Sequence, residues 1–182
     1  MNPVLRVTDV EFGYHPGKPV LRDISFEVSP GEVFIILGAN GCGKSTLMRT
    51  ILGECKPTSG RITVGGDDVT SLGVKQLAQR LAMVFQDHSA PFPFTGLDVV
   101  KMGRTPHLPP FASPTKKDNV ICLEALETVG LKDLAFEPYT QLSGGERQLV
   151  LIARALAQRT GVVLMDEPTS HLDYRNATTV IS

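Results

Sequence analysis

The chain has 182 residues, 42% of them hydrophobic, enough apolar material for one ordinary core and too much for wholesale disorder. Its 18 Lys and Arg against 19 Asp and Glu leave a formal net charge of -1, which excludes a nucleic-acid binder that works by blanketing phosphates with basic charge. The 17 Gly and 13 Pro follow no period, so a collagen-like chain is excluded. Cys42, Cys55 and Cys122 form no CxxC and no metal-spaced pairing with His, and read as reduced thiols of a cytosolic protein. The longest clean apolar run, Val33 to Leu37, falls far short of the ~20 residues of a spanning helix, and Met1 to Arg6 carries no hydrophobic leader. A soluble, cytoplasmic protein is expected, one that can still dock on a membrane partner.

In chain order, Val7 to Phe12 and Ile24 to Val28 alternate apolar and polar residues, as half-buried strands do, with a turn cluster at His15 to Pro19 between them. Val33 to Leu37 does not alternate, and continuous apolar character between turn signals predicts a strand covered on both faces. A glycine-rich stretch follows, then a helix over Ser45 to Leu52. Arg61 to Val64 and Leu81 to Phe85 read as strands, and Gly161 to Asp166 as a second fully buried one. The texture between Phe85 and Gly161 is helical and proline-rich. A short helix is expected near Leu97 to Met102. A longer one opens with Ser113 as cap and Pro114 at its first position, and ends near Val129 at Gly130. Ser143 and Glu146 have capping-box spacing ahead of a helix over Arg147 to Gln158, with Leu149, Val150, Ala153 and Leu156 along one face. The fold class is therefore α/β with a mainly helical insertion.

Three segments carry chemistry. Gly38-Ala39-Asn40-Gly41-Cys42-Gly43-Lys44-Ser45 matches GxxxxGK[ST] in the strand–loop–helix setting that this motif requires. Glycines let main-chain N–H groups turn inward around phosphates, and a helix N-terminus adds partial positive charge. Lys44 would reach the β- and γ-phosphates, Ser45 would offer its hydroxyl to Mg²⁺, and Thr46 would touch the α-phosphate. Leu142-Ser143-Gly144-Gly145-Glu146 is the second segment. Capping explains Ser143 and Glu146 but not two consecutive glycines, whose gain is close backbone approach to an anion. The third, Asp166-Glu167, leaves the end of a buried strand, where α/β proteins bind ligands. Asp166 would hold Mg²⁺ through water, and Glu167 would orient or deprotonate the attacking water.

With these segments in this order, the sequence resembles the ATP-binding-cassette (ABC) family over essentially its whole length, and LSGGE is the most specific match. The resemblance implies a P-loop NTPase core, a mainly parallel sheet plus N-terminal antiparallel strands, with an inserted helical subdomain. Residues 1–86 and 159–182 would form the core and 87–158 the helical subdomain of one nucleotide-binding domain. It also implies that Tyr14 stacks on adenine and that Gln86 senses Mg²⁺ and the attacking water. Ser170-His171-Leu172-Asp173 would cross to a second subunit. In such proteins two copies pair head to tail, each ATP lying between the phosphate loop of one and the Ser143/Gly145 region of the other. Membrane-spanning permease subunits are the transport partners, a substrate-binding protein acts indirectly, and nucleic acid is not a partner.

The segment Thr95 to Leu108, together with His171, is similar to the subunits that energise import of iron–siderophore complexes, haem and cobalamin. Only 16 residues follow Asp166, so the resemblance implies a missing C-terminal end, including a histidine that contacts the γ-phosphate, and weak or absent hydrolysis by this chain alone. Two alternatives stand beside the importer ATPase: a truncated, non-catalytic nucleotide-binding or interaction module, and a soluble cassette not linked to transport. Cys42, inside the phosphate loop, is a site where alkylation would block nucleotide. Cys55 and Cys122 read as packing residues.

Overall fold

The computed structural model describes residues 2–85 and 94–167, so Gln86 and the segment Ser170 to Asp173 lie outside the described residues. The chain divides into two compact units, Met1–Leu81 and Ala82–Ser182.

The first unit is built on an antiparallel sheet of β1 (Leu5–Phe12), β2 (Leu21–Val28), β3 (Ser59–Val64) and β4 (Asp67–Asp68), in the order β2-β1-β3-β4. It also holds α1 (Lys44–Ile51) and the short α2 (Val74–Ala78). Leu5, Val7, Val10, Leu21, Ile51, Ile62 and Val64 form its buried centre. The alternation along β1 is interrupted, because Val7 and Val10 are three apart yet both buried. A bulge reconciles them. Asp9 takes φ +46°, and the register slips between Val7 and Val10 against β2 and between Thr8 and Glu11 against β3. Ser25 holds the bulge from β2, accepting from Asp9 N–H at 2.8 Å and donating to Asp9 Oδ1 at 2.9 Å. On the other side Gly60, at φ +79°, leaves room for it, since a Cβ there would collide with the Asp9 carbonyl.

The second unit holds most of β5 (Leu81–Val84), then α3 (Gly96–Lys101), a 3₁₀ segment Met102–His107, α4 (Lys116–Thr128), α5 (Gly144–Ala157) and β6 (Val162–Met165). β5 and β6 pair as the parallel part of this mixed α/β fold. The three α-helices enclose an apolar core in which Val100, Cys122, Leu126, Val150 and Ala153 are fully buried. Burial pushes the Cys122 thiol up to about 11, which suits an inert packing residue.

Four sequence expectations are corrected. The long helix is capped by Thr115, not Ser113. Thr115 has Asp118 three residues on to complete a capping box, whereas Ser113 would have had Lys116 there, which cannot accept a hydrogen bond. The helix after Leu142 begins at Gly144, directly behind its cap Ser143, and not at Arg147. The largest difference concerns Val33 to Leu37, which is not a strand. Its side chains are exposed apart from the half-buried Ile36, Leu37 by 87%, and Phe34 stacks on Phe26 at 4.8 Å between centroids. Among the described residues no strand takes up its backbone groups, and an apolar run without a ladder partner has nothing to bury it. Of β6, paired with β5, only Val162 is buried, where full burial was expected.

Candidate nucleotide site

In the first unit, residues 38–43 lead into α1 as an open loop. Gly41 and Gly43 hold φ at +80° and +105°, a left-handed conformation that side-chain-bearing residues rarely adopt. A Cβ at Gly38 would stand 2.6 Å from Cys42 Sγ. Asn40 and Cys42 are exposed on the loop. Lys44 folds back over it, donating from Nζ to the carbonyls of Gly38 at 2.7 Å and Ala39 at 3.1 Å. The ammonium therefore sits in the curl of its own loop, where it would meet a phosphate. α1 starts at Gly43 without a capping side chain, and its first turn holds no acidic residue. A helix start with neither device leaves its positive end uncompensated by a capping side chain or a carboxylate of its own first turn, which suits an outside anion. Ser45 and Thr46 lie in this turn. The Tyr14 hydroxyl is 3.4 Å from Thr46 Oγ1, and its half-exposed ring packs edge-on to Phe12 at 5.0 Å. The structure thus brings Tyr14, Gly38, Lys44 and Thr46 into one neighbourhood.

In the second unit, Ser143 and Glu146 close the expected capping box. Glu146 Oε2 accepts from Ser143 N–H at 2.7 Å, and Ser143 Oγ accepts from Glu146 N–H at 3.3 Å. Hydrogen bonding of the carboxylate to Ser143, first through its side chain and then through its N–H, holds the Glu146 carboxyl below its ordinary pKa. A Cβ at Gly144 would meet nothing within 4 Å. Packing among the described residues therefore does not require that glycine. At the end of β6, Asp166 is half-buried and its N–H donates to Val84 O at 3.0 Å, while Glu167 is exposed at φ +46°.

The oxygen donors offered for a metal, the Ser45 hydroxyl, the Asp166 carboxylate and the Gln86 amide, suit a hard cation such as Mg²⁺ that is completed by water and phosphate. Among the described residues no group of three His, Cys, Asp or Glu could hold a metal by itself. The sequence reading missed a buried polar cluster, Arg104 with Asp118 and Thr115. Its one legible signal is the Thr115-x-x-Asp118 spacing of a capping box.

Residues 21–170 match the family profile described as ABC transporter. The chain belongs to this family. Over all 182 residues it is 39% identical to the molybdate import ATP-binding protein MolC of Haemophilus influenzae, spanning 67% of that protein. Over 165 residues, 91% of the chain, it is 44% identical to the cobalamin import ATP-binding protein BtuD of Halobacterium salinarum, of which it spans 40%. A solved transporter described as of metal-chelate type, in an inward-facing conformation, superposes with a TM-score of 0.85 at 39% identity, covering all of this chain and 66% of that one. The chain thus spans about two thirds or less of these ABC proteins. No described helix is long and apolar enough to cross a membrane.

Proposed function

We propose that this chain is the ATP-binding and ATP-hydrolysing subunit of an ABC importer, acting as a head-to-tail homodimer on permease subunits at the inner face of the cell membrane. The observation that carries the reading is the start of α1, without cap or acid, wrapped by a glycine loop with the Lys44 ammonium turned into it. Bound ATP supplies the γ-phosphoryl group, whose transfer to water drives the cycle. Gly38, Asn40, Gly41, Cys42, Gly43, Lys44, Ser45 and Thr46 bind the phosphates, and Tyr14 lies against the base. Ser45, Gln86 and Asp166 would hold Mg²⁺, Gln86 and Glu167 orient the attacking water, and Lys44 draws off charge. Ser143, Gly144, Gly145 and Glu146 close over the nucleotide held by the second copy. Residues 1–86 with 159–182 act as the core and 87–158 as the helical lobe that meets the permease. The cargo class is an iron(III) chelate, haem or a cobalamin-like molecule delivered by a separate binding protein. The names of BtuD and of the metal-chelate transporter support that class, and MolC adds molybdate as a competitor.

The test is a titration with Mg-ATP beside a phosphate-release assay, repeated with Lys44→Ala. Loss of the charge-assisted hydrogen bonds that Lys44 would make to the β- and γ-phosphates should weaken binding by about 30-fold or more. Nucleotide affinity that Lys44→Ala leaves intact refutes the site. Co-purification with a multi-spanning subunit tests the transport role.

A further inference from the structure

One buried cluster has no part in nucleotide binding. Arg104, in the 3₁₀ segment Met102–His107, is 8% exposed, and its guanidinium grips two elements. Nε donates to Asp118 Oδ1 at 2.9 Å, and Nη1 donates to the Ala157 carbonyl at 2.8 Å. Asp118 is itself immobilised, its other oxygen accepting from Thr115 N–H at 2.9 Å and Thr115 Oγ1 at 2.6 Å. His107 Nε2 lies 2.7 Å from the Gln158 carbonyl, which can only accept, so this nitrogen carries the proton. Gly103 rests on the same helix, and a Cβ there would collide with the Arg154 carbonyl. The 3₁₀ segment thus supplies donors to carbonyls at the end of α5, groups that a helix terminus leaves without intrahelical partners.

The place of this grip matters. α5 begins with the Ser143–Glu146 turn and ends at Ala157. The chain then passes through Arg159, at φ +53°, into β6, beyond which stand Asp166 and Glu167. The grip therefore holds the junction between two stretches that carry the site's groups on opposite sides. α5 has 14 residues. At 1.5 Å per residue that is a lever of about 21 Å, and a tilt of about 5° at the gripped end moves the far turn by about 2 Å, more than a reacting geometry tolerates.

We propose that Arg104, seconded by His107, is a positioning residue that sets the aim of the Ser143–Glu146 turn through the last turn of α5. This rests on the ATPase reading, in which that turn closes on the nucleotide of a second copy. Lysine in its place keeps a charge beside Asp118 but lacks the planar fork that serves Asp118 and Ala157 together.

The experiment measures self-association of the full chain in saturating Mg-ATP by light scattering, in a Glu167→Gln background that slows loss of the nucleotide. It is run on that parent, on Arg104→Lys, and on Arg104→Met/Asp118→Asn, which leaves no unpaired buried charge. Affinity for a fluorescent ATP analogue and the thermal melt are read in parallel. Arg104→Lys should raise the concentration for half-association at least tenfold, while analogue affinity stays within twofold. Association within twofold of the parent, or association and analogue affinity falling by the same factor, overturns the inference. Should Arg104→Lys not fold, the double variant decides by the same criteria, and failure of both to fold assigns the cluster to stability alone and overturns it as well. A parent that does not associate with Mg-ATP sinks the dimer reading itself, whereas association indifferent to Arg104 sinks this inference only.

Discussion

Asp118→Asn changes one atom in a buried position and yields a prediction with both a size and a pH signature. The native carboxylate is 6% exposed and accepts from Thr115 twice and from Arg104 once. An asparagine keeps the volume. If its carbonyl faces Thr115, however, its amide turns donors toward the Arg104 donors, and the guanidinium is left buried without an anion. Breaking a buried pair from one side costs about 3–5 kcal/mol, and the surviving bond from Arg104 to Ala157 places this case near 3. With a urea dependence of ~2 kcal/mol per molar, the unfolding midpoint read by helical circular dichroism should fall by about 1.5 M at pH 7. The Thr115 hydrogen bonds first, and then Arg104, hold the Asp118 carboxyl well below the usual carboxylate range. A depressed folded-state value means that the stabilisation is complete above the unfolded value of ~3.9 and drains away as pH falls past it toward the folded one. The gap between native chain and variant should therefore hold from pH 7 to about 5 and narrow below about 4. A midpoint shift under about 0.3 M, or a gap that widens in acid, refutes the account of the cluster.

Gly60→Ala should cost about 2–4 kcal/mol in urea unfolding, because alanine at φ +79° is strained and its Cβ collides with Asp9 in the β1 bulge. A loss below about 1 kcal/mol would mean that the bulge relaxes freely. Ser143→Ala removes the α5 cap and should lower stability by about 1 kcal/mol while weakening Mg-ATP-dependent self-association. Unchanged self-association would confine Ser143 to capping. Cys42 is an exposed free thiol in the phosphate loop, so alkylation with N-ethylmaleimide should abolish nucleotide binding and Mg-ATP should slow the modification. Modification at the same rate with and without nucleotide would place the nucleotide elsewhere.

What the sequence disclosed divides along a physical line. Features written in short-range spacing were legible: the glycine-rich loop ahead of α1, the Ser143–Glu146 box, the carboxylates behind β6, and Gly130 at the end of α4, where it takes φ +75°. Each depends on residues within one turn or loop. Features set by partners distant in sequence were not. The apolar run Val33 to Leu37 carries the composition of a buried strand, but burial belongs to the ladder beside it and not to the run. Arg104 and Ala157 are 53 positions apart, and nothing local to either announces the bond between them. The Asp9 bulge falls between these cases. The broken alternation of Val7 and Val10 hints at it, but its confirmation lies in Ser25 and Gly60 on two other strands. The displaced cap of α4 was within reach of local rules, because Asp118 answers Thr115 and Lys116 cannot answer Ser113.

The bare hydrophobic stretch ahead of the phosphate loop also bears on how the molecule behaves in a tube. Val33, Ile35 and Leu37 present oily side chains to water at 71%, 67% and 87% exposure, on a segment rich in strand-forming types. Such a stretch invites stitching to its counterpart on a neighbouring molecule. Turbidity should therefore climb with concentration and ease when a charged residue replaces Ile35, and any added polypeptide that lays a strand alongside would act as a solubiliser.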